Sequence, residues 1–347
     1  MTFQPVFNCI IPENKLDICK LAYNSNAAAI KILEKNLDKL DKCGWSDLSR
    51  NINAIPILEK NVDKVNWSSL SSNTEAIGIL EKHLDKVDWY NLSRNPNAIP
   101  ILEKNVDKVN WMGLSSNVSA IHLIEKNLDK VIWGCLSSNV AAIPILEKNV
   151  DKVNWYWLSR NPNAIAILEK NLDKVNWDCL SLNPSAIPIL EKNLDKVSWY
   201  WLSRNPNAIL IMEKNIDKID WIGITSNPNP NVSKIMEKHL DKIDVHRLSL
   251  SPNPLHLLDN LLDHRGISWE CLSYNPNAIH ILKKKINKVD WRNLSENPNI
   301  FTLNTQVMRD RCINFAEELA AYVFEPDRIA RIANEFNIAF EQYLFLV

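Results

Sequence analysis

The sequence predicts an all-α fold: an α-solenoid of about twelve 22-residue repeats, each a helix plus a short helical turn, with a small helical C-terminal cap. Three observations carry that expectation. Trp45, Trp67, Trp89, Trp111, Trp133, Trp155, Trp177, Trp199 and Trp221 stand 22 residues apart, and a fixed period in this range marks a repeat array. Within each unit, apolar residues recur at spacings of three, four and seven, as on one face of an amphipathic helix. Glycine is scarce, with 6 in 347 residues, so few positive-φ turns are available.

Residues 1–16 are irregular. The repeat array runs over 17–300 and opens on a degenerate unit at 17–44, divergent as expected of an end that faces water. A regular unit, from Trp155, reads WYWLSRNPNAIAILEKNLDKVN. Trp155 to Arg160 is long enough for one or two turns of α or 3₁₀ helix. Asn161-Pro162-Asn163 is a helix-start signal. Pro56, Pro100, Pro144 and Pro188 are tolerated only in a first helical turn, which places the cap at Asn163 and its equivalents. Ala164 to Val175 then predicts a helix of about three turns.

Such a unit cannot bury its apolar face alone. Stacking on neighbours is expected to join Ile, Leu and Trp columns into one core in a superhelical array. Each Trp offers about 200 Å², or about 5 kcal/mol before ordering entropy is subtracted.

The column from Asn51 to Asn297 hardly varies. Two architectural explanations compete: a left-handed Asn ending the short helical turn, or a buried ladder that satisfies backbone groups of the next unit. The Glu-Lys-x-x-Asp-Lys text, as at Glu103, Lys104, Asp107 and Lys108, suggests solvated charge ladders between units.

Regularity lapses over 222–268, where Val245 and Ser251 replace Trp and Asn, a pattern expected of a local bend. Residues 301–347 lose the period. Thr305–Phe324 and two shorter segments read as helices that cap the last repeat, with partner docking or self-association as the sharper use of the same segment.

Chemistry is hard to find. No phosphate-binding, zincin or nucleophile-elbow motif occurs, so neither an enzyme nor a cofactor is expected. The seven cysteines form no CxxC pair, which points away from zinc and disulfides and toward a reducing compartment. His246, His256 and His264 invite a metal hypothesis, but a polar surface on an irregular unit explains them more simply. There is no signal-peptide pattern and no apolar run long enough to span a membrane. Net charge is -1, which counts against nucleic acid, whose binders show a basic excess.

The informative positions are those where the units differ: one, two and five residues after each Trp. They hold Tyr90 with Arg94, Tyr156 with Trp157 and Arg160, and Tyr200 with Trp201 and Arg204. Tyr, Trp and Arg dominate binding hot spots, and stacking is expected to align them into a recognition stripe for a protein partner. The alternatives are single-stranded RNA stacked on these platforms and a purely structural component, such as one of a filament. The bland reading is that each Arg merely covers its own Tyr.

The text LSRNPNAIAILEKNLDKVNW resembles the roughly 22-residue repeats of proteins from giant amoeba-infecting viruses of the mimivirus–megavirus kind, over about residues 22–300. The ending VFEPDRIARIANEFNIAFEQYL resembles a C-terminal segment recurring in those proteins. Their function is unknown, so the resemblance transfers no catalytic or binding residue. It implies a viral protein acting in host cytoplasm, with packaging into virions, or a structural role in them, as a further option, and a host or viral protein as partner. Leucine-rich repeats share the period, but their LxxLxLxxN strand segment is missing here.

Overall fold

The computed structural model describes residues 7–9, 15–251, 255–262, 266–303 and 325. Two compact units are present, one holding Ile11–Ile300 and the other Met1–Ile10 with Phe301–Val347. In the smaller unit the described elements are two three-residue strands, β1 (Phe7–Cys9) and β2 (Phe301–Leu303). They pair antiparallel with Phe7 opposite Leu303. The helices expected between 304 and 347 lie outside the described residues, as does the proposed docking or self-association segment.

The larger unit is an all-helical solenoid of tandem repeats. A regular unit begins with a Trp helix, such as Trp155–Arg160, and continues to a second helix, such as Ile165–Glu169; Ile18–Leu21 and Val245–Leu250 take the Trp-helix place in the two units that lack the Trp. The Trp helix starts where Asn154 accepts a hydrogen bond from the Trp157 amide, an N-cap. It ends at Asn161, which is extended (φ -74, ψ 114) rather than left-handed. Asn161, not Asn163, does the capping there: its Oδ1 accepts from the Asn163 amide at 3.0 Å. The proline-tolerant position falls in the first turn of the second helix, as in Ile143–Lys148.

The second helix is shorter than the three turns expected. Asn171 Nδ2 donates to the Ile167 carbonyl at 2.8 Å, taking the place of the next backbone N–H. The chain then turns through Leu172-Asp173-Lys174 and brings Val175 back into the core. The fully enclosed columns are those of Leu158, Ser159, Ala164 and Leu168. Trp is not among them: Trp45 is buried, but the later tryptophans are half-buried. Lys174 lies over the Trp155 ring at 5.5 Å, an arrangement repeated from Trp45 to Trp221. The lysines of the Asp-Lys step therefore cover their own unit's indole, and of the expected ladder between units the described residues show a single lysine rung, Lys284 to Asp259 at the Glu position of the unit before it. The cross-unit partners of the repeat's Glu are His122 to Glu103 and His256 to Glu237.

Between units, the Asn column forms the buried ladder. Asn183 Nδ2 donates to the Ser159 carbonyl at 3.0 Å and to the Asn161 carbonyl at 3.1 Å in the unit before it. Ser159 Oγ donates to the Trp155 carbonyl and accepts from the amide of Asn176, which caps the Trp helix of the following unit. These buried polar atoms have partners, so they tie one unit to the next without a desolvation penalty.

The ladder does not stop at the ends. Asn24, in the degenerate first unit, donates to the carbonyls of Ser295 and Asn297, both at 3.0 Å. Asn26 donates to the Pro298 carbonyl, and the Asp17 amide to Ser295 Oγ. These bonds repeat the contacts of neighbouring units, so the array closes head to tail as a ring of thirteen units. An average turn of about 28° per unit follows. An open superhelix with water-facing terminal repeats was the expectation; the first unit's divergence instead fits it to the last. Successive Trp helices pack directly on one another all the way round, including Ile18–Leu21 on Trp291–Glu296. The second helices lie mainly against their own unit's 3₁₀ turn. Units crowd on the inner arc of a ring, so the Trp helices form its concave side.

The irregular region keeps this plan. Val232–Glu237 and Val245–Leu250 take the two helix positions and a 3₁₀ segment, Leu255–Asn260, follows. Asn275 bonds the Ser251 carbonyl and carries the ladder across.

Candidate protein-recognition face

In the Trp helix, the third and fourth residues after Trp are fully buried. A 3.6-residue period then turns the first and fifth outward, whereas the second, expected outward as well, faces the preceding unit: it is buried as Ser69, Gly113, Cys179 and Gly223 and reaches solvent fully only where it is as large as Trp157 or Arg247. Tyr156 is 49% exposed and Trp157 41%, with their rings edge-to-face at 5.1 Å. Tyr200 is 36% exposed and meets Trp201 at 4.8 Å. Tyr90 is also exposed.

The arginines behave differently in the three units. Arg94 Nη1 donates to Tyr90 Oη at 3.0 Å. Arg204 donates to Tyr200 Oη at 3.2 Å and lies over both Tyr200 and Trp201. In these two units Arg does cover its own Tyr. Arg160 is exposed and does not stack on Tyr156. Burial pushes up the pKa of the Cys179 thiol in the next unit, and the neighbouring Tyr156 hydroxyl and Arg160 charge only partly oppose this.

The difference follows from the neighbouring unit. Gly223 leaves room for the Tyr200 backbone: a Cβ there would lie 2.5 Å from the Tyr200 carbonyl. Gly113 does the same for Tyr90, whereas Cys179 stands at the corresponding position beside Tyr156. The three groups are not contiguous. One unit, carrying Asp178 and Leu182, separates the Tyr156 group from the Tyr200 group, and two units separate Tyr90 from Tyr156. They are three clusters on one face rather than an unbroken stripe.

A second feature of this face escaped the sequence reading. Of the seven arginines between residues 11 and 300, six stand at the variable Trp-helix positions: Arg50, Arg94, Arg160, Arg204, Arg247 and Arg292. Most lysines stand in the Glu-Lys-x-x-Asp-Lys half beside carboxylates. The column pattern was available in the sequence.

The ring's closing seam was not. There, a cleft of about 490 Å³ is lined by Tyr23, Ser25, Asp47, Arg50, Asn51, Ile52, Tyr274, Pro276, Glu296 and Pro298. Lys20 pairs with Glu296 beside it. The Lys20 pKa is raised, chiefly by its hydrogen bond to Glu296. Burial raises that of Asp47, and the nearby Arg50 and Lys20 charges only partly oppose this.

Among the described residues, no group of three His, Cys, Asp or Glu could hold a metal ion. His256 pairs with Glu237, and His264 lies outside the described residues. No helix among the described residues is long and apolar enough to cross a membrane.

Fold and face together define a closed tandem-repeat α-solenoid with an aromatic and arginine-bearing concave side. No family model, curated protein or solved structure matches the chain.

Proposed function

We propose that the protein is a non-catalytic interaction scaffold that holds a protein partner on its Trp-helix face. The observation that carries this reading is the exposure of Tyr156, Trp157 and Tyr200 on a rigid helical surface. Large aromatic rings held in water by a fully bonded backbone are pre-organised anchors, which lose little freedom when a partner covers them. Tyr90, Arg94, Arg160, Trp201 and Arg204 supply the remaining contacts. The sequence resemblance supports a viral protein working in host cytoplasm.

The test is to replace Tyr156, Trp157, Tyr200 and Trp201 with Ala and repeat capture from infected-cell lysate, then titrate the recovered partner in purified form. Loss of binding with unchanged helicity is the expected result; unchanged affinity refutes the reading. Single-stranded RNA is the second reading, favoured by Arg204 lying over two aromatic rings but opposed by the net charge of -1. Filter binding of an oligonucleotide across salt concentrations separates the two.

A further inference from the structure

We propose that the cleft at the ring seam binds an extended, proline-rich peptide segment carrying one basic side chain. The site is separate from the Tyr156 and Tyr200 groups and adds a second recognition point to the scaffold.

The cleft crosses four consecutive units of the closed ring, and the fifth residue after each Trp position lines it. In ring order these are Tyr274, Glu296, Tyr23 and Arg50. Beside them, two residues further on, lie Pro276, Pro298, Ser25 and Ile52. The result is a trough with a largely apolar floor and two half-exposed tyrosines, Tyr23 at 49% and Tyr274 at 50%. Aromatic-lined troughs of this kind suit polyproline II segments, which arrive already ordered.

The repeat spacing fits the same ligand. Packed helices lie about 8–10 Å apart, and one turn of polyproline II, three residues, advances about 9 Å. Every third residue of such a peptide therefore meets a new unit.

Charge selects the side chain. Glu296 already holds Lys20. Asp47 is half-buried and takes part in no hydrogen bond or ion pair shown among the described residues, although Arg50 and Lys20 are near enough to act on it through space. A carboxylate kept half-buried without a bonded partner is costly and marks a site awaiting a cation. With Lys20 taken up by Glu296, the cleft is left with one carboxylate, Asp47, and one guanidinium, Arg50, which suits a ligand offering one cation and backbone carbonyls better than phosphate or a polyacidic peptide. Arg50 remains free to donate to peptide carbonyls. Because the walls come from both ends of the array, the bound peptide also favours the closed ring by mass action.

The experiment uses the full chain and a fluorescein-labelled peptide of about twelve residues, long enough for four polyproline turns. Its sequence is Pro-Pro-Leu triplets with a single Arg, and fluorescence anisotropy reads binding. Saturable binding is expected. Affinity should fall about tenfold or more when glycine replaces the peptide's prolines, when Glu replaces its Arg, and in the Tyr274→Ala and Asp47→Asn proteins. The Tyr156→Ala/Tyr200→Ala protein should bind as tightly as wild type, so this site can fail or stand apart from the scaffold face. Circular dichroism checks each fold, and Tyr23→Ala, equally exposed, substitutes if Tyr274→Ala unfolds. Absence of saturable binding, equal binding of the glycine peptide, or indifference to the tyrosine variants overturns the proposal.

Discussion

Asn24 donates its side-chain amide to the carbonyl of Ser295, 271 residues away, at the 3.0 Å that Asn183 keeps to Ser159 in mid-array. In an open solenoid the first-unit Asn would face water and contribute almost nothing. In a closed ring it is buried and satisfies two carbonyls. Asn24→Ala should therefore lower unfolding stability about as much as Asn161→Ala, by about 3 kcal/mol, since each strands buried acceptors. Urea denaturation of the two variants checks this. A near-neutral Asn24→Ala beside a damaging Asn161→Ala would mean the ring is open in solution.

Much of this architecture was legible in the sequence, and the exceptions share a cause. Period, helical units and the outward first and fifth positions followed from Trp spacing and amphipathic pattern, because those are local properties; the second position varies between units yet is buried as Ser69 and Cys179, because it packs on the preceding unit. The Asn column was visibly invariant, but whether it turned the chain or bridged units depends on what lies one unit away. The second helix was overestimated because Asn171 interrupts it with a side-chain bond that the apolar pattern of Ala164–Val175 does not reveal. Closure was hidden most deeply, since no local signal tells Tyr23 that Tyr274 is two units away across the seam. The cleft those residues line was hidden with it.

The close approach of Trp helices gives opposite expectations for different glycines. A methyl at Gly113 would lie 2.7 Å from the Tyr90 carbonyl and at Gly223 2.5 Å from the Tyr200 carbonyl, and backbone cannot yield cheaply. Gly113→Ala and Gly223→Ala should each cost about 1–3 kcal/mol. Gly78 and Gly134 are helical, and a methyl added at either would meet nothing within 4 Å. Alanine there should stabilise by about 0.5–1 kcal/mol through helix propensity. Thermal melts of the four variants, scored for sign, test the packing of the concave side.

Asp47 should betray its role through pH. Burial holds its pKa above the ordinary carboxylate value of 3.8. Between the two values the folded protein keeps a proton that the unfolded chain has released, so stability falls as pH rises through that window and stays lower above it. Asp47→Asn should melt at a higher temperature than wild type at neutral pH, with the gap narrowing as pH falls toward 3.8. A more stable protein that has lost the seam peptide is the pattern expected when a residue serves binding at the expense of folding.

Lys20 and Glu296 work in the opposite direction. Their hydrogen-bonded pair spans the seam and raises the Lys20 pKa above its ordinary 10.5. A cation whose folded pKa is raised contributes stability that is fully present below the unfolded value and lost as pH rises through the folded one. Wild type should therefore exceed Glu296→Gln in stability at pH 8, and the difference should fade only on titration above 10.5. The same pair fastens the first unit to the last, so alkaline loss of the bond should loosen the seam before the array melts. Hydrogen exchange at the Asn24 and Asn26 amides, compared with Asn161 and Asn163 in mid-array, reads that order directly. Equal protection at every pH would show that the pair plays no part in holding the ring shut.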